Sequence, residues 1–385
     1  MNRKEFLKVC GILGFGLPMQ SALSACGKDN GIRPKKVLVI GAGAAGLSAA
    51  YLLMQQGVEV EILEASASYG GRMKRTTTFA NFPIPLGAEW LHVDRNIFTE
   101  IVNDPAVTIA TNTTAYDQDV DQALHEGTLM RPEDVGFTID QKFINATWFD
   151  FFDQYVVPTV LAKINFNKVV QTIDYSSNQV VVKTANETFT ADRVIVTIPV
   201  KLLQTGAINF IPTLSNKKQN AINNVTVWDG CKAFIKFSQK FYPALVSFDV
   251  TPASAGQKLY YDAAYGQNTN EHILGLFAVG TGTQPYVTLS DNDLRDYMLD
   301  ELDAIFNGQA SANYVAHIFQ NWNTEPYAQG AYVYDQESWT RIQTLGTSVD
   351  NKLHFAGDAY TTGSDWSSVH TAARSARRAV EEMLG

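Results

Sequence analysis

Lys36-Val-Leu-Val-Ile40 runs straight into Gly41-Ala-Gly43-Ala-Ala-Gly46, and then into Leu47-Ser-Ala-Ala-Tyr-Leu-Leu-Met54. Gly57 closes that segment, Val58-Glu-Val-Glu-Ile-Leu63 follows, and Glu64 ends it. The apolar β-type run, the glycine turn, the small-residue helical stretch and the second β-type run together predict a βαβ unit. Each glycine has a separate task. Gly41 permits the tight turn after the strand, Gly43 lets backbone approach a pyrophosphate, and Gly46 lets the helix pack on the sheet. The helix N-terminus beyond Ala45 offers N–H groups and a positive dipole end to phosphates. Glu64 stands near the spacing of roughly 20 residues at which a carboxylate binds ribose hydroxyls. The unit therefore predicts a dinucleotide site that disfavours a 2′-phosphate.

The next segment bears on which dinucleotide. Ala65 is followed by Ser66-Ala-Ser-Tyr-Gly70-Gly71-Arg72-Met73, a second glycine turn carrying a cation. Arginine recognises phosphate oxygens through a planar, bidentate fork. This arrangement resembles the flavin-containing amine oxidases, among them monoamine and polyamine oxidases. Further segments carry the resemblance. Pro85-Leu-Gly87-Ala88-Glu89-Trp90-Leu-His92 is similar to the Gly-Ala-x-Trp-x-His stretch beside the flavin. Val169-Val170-Gln-Thr-Ile173, Val180-Val-Val-Lys183 and Ala191 to Pro199 resemble the cofactor-binding hairpin and the strand after it. Trp322-Asn-Thr-Glu-Pro326 with Gly330-Ala331-Tyr332, and Leu353-His-Phe-Ala-Gly357-Asp358 with Trp366 to Val380, resemble the remaining elements. The likeness runs from about Lys35 to the end.

The resemblance implies an α/β fold: a Rossmann-like FAD-binding lobe of the two-glycine flavoprotein type, with a second α+β substrate lobe. The expected division gives residues 35–93, 158–228 and 346–385 to the FAD lobe and 94–157 and 229–345 to the substrate lobe. The stretch between His92 and Val169 is short for the family, so a trimmed substrate lobe is expected. Asp296 to Phe306 has the apolar spacing of an amphipathic helix, and Lys232 to Phe237 alternates as a strand.

The implied reaction moves a hydride equivalent from the carbon beside an amine to flavin N5, with imine hydrolysis and release of hydrogen peroxide. The partners are then an amine or amino acid and molecular oxygen or another electron acceptor. Carried over by resemblance, Lys232 matches the lysine that holds a water near N5, with an exposed strand-end lysine as the alternative. Tyr332 matches an aromatic residue flanking the amine, with a core tyrosine as the alternative. His92 falls where some polyamine oxidases have a substrate-side histidine; a hydrogen-bonded structural histidine is the alternative. Ala331 occupies the position of the flavin-bearing cysteine of monoamine oxidases, so the FAD is expected to be noncovalent. Ser368 stands where the family often has tyrosine, and Trp366 is the neighbouring candidate for the second aromatic wall. Asp358 replaces a glutamate with a carboxylate one methylene shorter. Thr371 and Ala376 replace glycines of the last helix, which implies a slightly looser helix–flavin approach, and Trp322 is expected beside the flavin, with a core tryptophan as the alternative.

Net charge is −9 over 385 residues, without the basic patch that nucleic acid requires. Arg3 and Lys4, an apolar stretch from Phe6 to Ala25 and the ending Leu23-Ser-Ala-Cys26 have the shape of an export signal. Its end resembles a bacterial lipobox, and Arg3-Lys4-Glu5-Phe6-Leu7-Lys8 resembles a twin-arginine start. Residues 1–26 are thus expected to be a lipoprotein-type signal, 27–34 a tether, and Cys26 a lipidated anchor at the bacterial cell envelope. A plain transmembrane anchor is the alternative, opposed by Lys8, Pro18, Gln20 and the terminal cysteine. Of the three cysteines only Cys231 lies outside the signal, so neither an internal disulfide nor a cysteine metal site is expected. Two other readings stay open: a two-glycine oxidoreductase, desaturase or isomerase, and a flavin-binding lipoprotein without catalysis.

Overall fold

The computed structural model describes residues 33–385, except 253 and 335. The signal and lipidation expectations, and most of the tether, lie outside the described residues. Among the described residues no helix is long and apolar enough to cross a membrane.

The opening stretch folds as the glycine spacing predicts. Strand β1 (Lys36–Ile40) leads to helix α1 (Ala44–Gln55), and strand β2 (Glu59–Leu63) returns parallel to β1. Gly57, at φ +72°, ends α1, donating to Met54 while Val58 donates to Leu53. That is the paired closure a left-handed residue makes possible after a helix. Three more parallel strands complete a five-stranded sheet in the order Ile164–Asn165, β2, β1, Arg193–Val196, Leu353–Phe355.

Both faces of this sheet are covered, which is why its strands read as nearly unbroken apolar runs. Alternation divides each strand between two cores. Val37, Val39, Ile62 and Ile195 face α1 and the C-terminal helix Val369–Leu384. Leu38, Ile40, Leu63, Val194 and Val196 face the other way, onto the hairpin Thr172–Asp174, Val180–Lys183, Thr188–Ala191. The expected boundary at residue 94 requires correction. Ile97, Phe98, Trp148 and Phe151 share the core that holds α1, so helices Asn96–Val102 and Trp148–Tyr155 pack with the nucleotide lobe, as does helix Val157–Val160, which the expected division places there from residue 158 on. Their large side chains need a deep apolar layer, and the small-residue face of α1 supplies it.

The second lobe is a seven-stranded sheet ordered Tyr314–Asn321, Gly230–Phe237, His272–Gly280, Gly256–Asp262, Leu245–Phe248, Ala123–His125, Thr128–Met130. Helix Asp291–Phe306 covers one face through Leu294, Met298, Leu299 and Leu302. Burial of each such side chain contributes about 1.5–3 kcal/mol. Ser290 caps this helix by accepting from the Asp293 amide. On Gly230–Phe237, Ala233 and Ile235 pack toward this helix, so two-residue alternation turns Lys232 and Phe234 toward the nucleotide lobe.

Candidate functional site

A cavity of about 2190 Å³ lies between the lobes. It starts at the carboxyl ends of the parallel strands, where Gly41, Glu64 and Thr197 follow β1, β2 and Arg193–Val196. Open parallel sheets bind ligands there. It ends against Lys232, Tyr332 and His92. Every site residue named from the sequence lines it, with the exception of Gly46.

The two glycine turns are built on each other. Gly41, at φ +104°, accommodates the turn, and Gly70 donates to the Ala42 carbonyl at 2.8 Å. A Cβ on Gly46 would stand 1.9 Å from the Gly41 carbonyl oxygen, so Gly46 serves close packing and faces away from the cavity. Gly43 is the reverse: a Cβ there would meet nothing within 4 Å. Its backbone opens straight into the cavity at the start of α1, where no side chain caps the helix. The dipole and the uncapped amides fit a diphosphate. Glu64 accepts from the Ala42 amide at 2.6 Å and from the Ser66 amide and hydroxyl at 2.9 and 2.7 Å. These bonds hold the carboxylate at the ribose end, beside Ala65 and Val170.

Arg72 and Asp358 differ from their separate expected roles. Their side chains form a two-point ion pair, at 3.0 and 2.5 Å, and Arg72 also donates to the Ala331 carbonyl. Three of the five guanidinium N–H groups are thereby used, leaving Nε and one Nη2 hydrogen as a fork for an anionic oxygen. Asp358 is paired with Arg72 and also lines the cavity itself. Gly87 abuts this pair's backbone: a Cβ on it would lie 1.9 Å from the Arg72 carbonyl oxygen, and Ala88 donates to that same oxygen. Trp322 packs over Gly87 and donates its indole N–H to Leu86 at 2.9 Å, so it is both cavity wall and lobe contact.

Trp228 and Trp366 both line the cavity together with Tyr332. Tyr332 packs edge-on against Trp228, with ring centroids 6.0 Å apart and planes at 62°. Trp366 lines the cavity but packs against the hairpin-side core and donates its indole N–H to the Tyr334 carbonyl. Ser368 lines the cavity as the residue preceding helix Val369–Leu384. Thr371 and Ala376 fall on the buried side of that helix, away from the cavity wall.

Lys232 is buried in the cavity wall. Its Nζ donates to the carbonyls of Pro85 and Gly87, at 3.0 and 3.1 Å, and to Glu89 at 2.7 Å. Glu89 also receives Lys142 at 2.9 Å and the Tyr261 hydroxyl at 2.6 Å. Burial alone pushes this carboxyl up, but Lys142 and Lys232 outweigh it and hold it at about 2. Burial draws Lys232 below the ordinary lysine value, while Glu89 opposes that shift. Cys231 beside it is inert as a nucleophile: burial and Asp229 push its thiol up to about 12. His92 lines the cavity next to Trp90 and shares an Nδ1–Asp140 hydrogen bond, Asp140 being buried.

Residues 154–384 match the family model for flavin containing amine oxidoreductase, and residues 39–104 match that for an NAD(P)-binding Rossmann-like domain. The chain belongs to the flavin-containing amine oxidoreductases. Lysine-specific histone demethylase 2 of Homo sapiens is 25% identical over 84% of this chain. Probable polyamine oxidase 4 of Arabidopsis thaliana is 23% identical over 86% of this chain and 83% of its own length. The chain spans about half the length of the demethylase relatives, 50% for the human protein. A putrescine oxidase structure bound to putrescine superposes with a TM-score of 0.72 at 14% identity, over 91% of this chain and 99% of that one. That likeness establishes the fold.

For this amine oxidoreductase the cofactor is FAD, and it is noncovalent: Ala331 has no sulfur to bond it. The open backbone at Gly43, the uncapped helix start and the leftover fork of Arg72 fit a flavin dinucleotide. Trp228, Lys142, Asp140 and Tyr261 escaped sequence reading. Trp228 and Tyr332 are more than a hundred residues apart in the chain, and nothing local pairs them. A signal existed for Glu89, a single charge inside the apolar run Leu86 to Leu91.

Proposed function

We propose that this protein is an FAD-dependent amine oxidase acting on CH–NH groups, converting an amine to an imine and then to an aldehyde or keto product with release of hydrogen peroxide. One observation carries the reading: a single cavity joins the dinucleotide turns at Gly43 and Glu64 to Tyr332, Trp228 and His92. When bound, FAD supplies the acceptor for the hydride equivalent. The chain's own residues do the rest. Gly43, Glu64, Arg72 and the Gly87-Ala88 backbone hold the cofactor. Tyr332, backed by Trp228, offers an aromatic face that attracts an amine through its quadrupole. The Asp140 carboxylate orients His92 so that Nε2 is available to receive a proton from the incoming amine.

The relatives' names point to polyamines, putrescine and histone lysine side chains, and an amine nitrogen is common to all three. Anaerobic bleaching of the bound flavin, followed by peroxide assay in air, tests the reading on a panel of diamines, polyamines, amino acids and methylated lysine peptides. An FAD-loaded protein that none of them bleaches overturns it.

We further propose export and lipid attachment at Cys26. Support comes from the basic start, the apolar stretch and Leu23-Ser-Ala-Cys26. Cys26→Ala should then move the protein from the membrane fraction to the soluble fraction and abolish palmitate labelling; unchanged fractionation and labelling contradict the proposal.

A further inference from the structure

We propose that Phe149 is a positioning residue for the cofactor: through its ring, helix Trp148–Tyr155 holds the second glycine turn, Gly70-Gly71-Arg72, against the first in the arrangement that receives the FAD diphosphate. This role rests on FAD binding at the two turns and does not require that an amine be oxidised.

Both ends of the second turn close on one side chain. Tyr69, just before the turn, stacks on Phe149 with ring centroids 5.3 Å apart and planes at 10°. Arg75, just after it, places its guanidinium carbon 4.8 Å from the centroid of the same ring. Between these grips Gly70 lies against the ring edge. Its φ is +107°, and a Cβ there would stand 2.8 Å from Phe149 Cδ2. Residues 69 and 75 thus meet a single ring, which fixes the span of chain between them. The contact is passed inward. Gly70 donates to the Ala42 carbonyl at 2.8 Å, and Gly43 and Gly70 pair as a parallel bridge. A Cβ on Gly71 would meet the Gly43 Cα at 3.5 Å. Ring, second turn and first turn therefore touch in sequence, ending at the start of α1.

The helix that carries Phe149 is seated by other side chains. Trp148, Phe151 and Phe152 are buried in the core of the nucleotide lobe. Thr147 caps the helix by accepting from the Asp150 amide. The Trp148 indole donates to the Trp90 carbonyl at 3.0 Å, so the same helix also holds the Gly87 to His92 segment. Two of its carboxylates secure the two grips: Asp153 accepts from the Tyr69 hydroxyl, and Asp150 pairs with Arg75 at 2.8 Å. Burial first, and then Asp153, push the Tyr69 phenol up to about 12, so it keeps its proton and donates. Phe149 and Asp153 share a face because they stand one helical turn apart. Phe149 itself is half-buried, packs onto the core from its edge and lines the cavity beside Tyr69 and Arg75. Its ring serves the turn, while its neighbours serve the fold.

Titration of the apoprotein with FAD and with ADP, which shares the diphosphate, tests this without turnover. Phe149→Leu keeps apolar volume and loses the ring. Its apoprotein should melt within a few degrees of wild type, while Kd for both ligands rises about tenfold, the scale of one ring pair and one cation–π contact together. Phe149→Tyr keeps the ring and should bind both ligands within about twofold of wild type. At saturating FAD, the phosphorus NMR signals of the bound diphosphate should move in Phe149→Leu and return to their wild-type positions in Phe149→Tyr, a change that lost stability alone does not produce. Unchanged Kd values and phosphorus signals in Phe149→Leu overturn the proposal, as does a Phe149→Tyr variant as defective as Phe149→Leu. If Phe149→Leu does not fold, Tyr69→Leu against Tyr69→Phe decides the matter: weaker FAD and ADP binding in Tyr69→Leu supports the ring contact, and equal binding overturns it. A protein that retains FAD as described but bleaches with no amine counts against the functional reading alone.

Discussion

Trp228 stands edge-on to Tyr332, 6.0 Å between ring centroids, across one end of the interlobe cavity. The pair brings together a residue just before strand Gly230–Phe237 and one at the end of the loop that follows strand Tyr314–Asn321, and the backbone ties them again through the Trp228 amide and the Tyr332 carbonyl at 2.9 Å. The indole fixes the tilt of the phenol ring. Trp228→Ala should therefore raise KM for an amine substrate about tenfold, since such ring pairs contribute about 0.5–1.5 kcal/mol beyond area burial. Trp366→Phe removes only the bond to Tyr334 and should leave KM within about twofold, as the loss of one hydrogen bond at a distance from the pair implies. Steady-state kinetics of both variants make the comparison; equal effects would give Trp366 the same part as Trp228 in holding the amine.

Gly43 and Gly46 make opposite predictions from one motif. Gly43→Ala adds a methyl where nothing lies within 4 Å, so the apoprotein should melt within a few degrees of wild type while FAD retention falls sharply. Gly46→Ala drives a methyl to 1.9 Å from the Gly41 carbonyl oxygen and should destabilise the fold by about 2–3 kcal/mol, as core overpacking does. Melting curves and FAD titration of the two apoproteins separate the cases.

The Arg72–Asp358 pair governs cofactor affinity. Arg72→Ala removes the remaining N–H fork and exposes the Asp358 carboxylate to whatever phosphate lies beside it. FAD should dissociate about 10–100-fold more readily, the worth of a charge-assisted bond of about 1.5–3 kcal/mol. Quenching of FAD fluorescence on titration into apoprotein reads this directly, and an unchanged Kd would remove Arg72 from the cofactor site.

Acid should weaken the fold through Glu89. Its carboxyl is held at about 2 in the folded protein against an ordinary 4.5, chiefly by two lysines acting against the cost of burial. A depressed carboxyl contributes stability that is present in full above the unfolded value and is lost as pH falls toward the folded value. The shift corresponds to about 3 kcal/mol, lost between pH 4.5 and about 2. Urea unfolding at neutral pH and near pH 3 should show Glu89→Gln less stable than wild type at neutral pH, with a smaller decline on acidification.

Much of the nucleotide lobe was legible in residues 36–64 because turn, helix stop and strand alternation are local effects. Gly41, Gly43 and Gly46 act on neighbours a few residues away, and β1 alternates between two cores by backbone geometry alone. The lobe boundary was less legible. Helices Asn96–Val102 and Trp148–Tyr155 carry apolar faces that suit either lobe, and only packing against α1 assigns them.

The sequence by itself determined a dinucleotide fold, the flavin family and the absence of a thioether at Ala331, since each depends on residue identity or short spacing. Only the tertiary structure decided what the charged and aromatic side chains do. Glu89 meets Lys232 and Lys142 from other strands, Arg72 meets Asp358 from the far end of the chain, and Tyr332 meets Trp228. In a dry interlobe contact an ammonium takes whichever acceptors surround it, and those acceptors are set by sheet register and lobe docking, which no local pattern encodes.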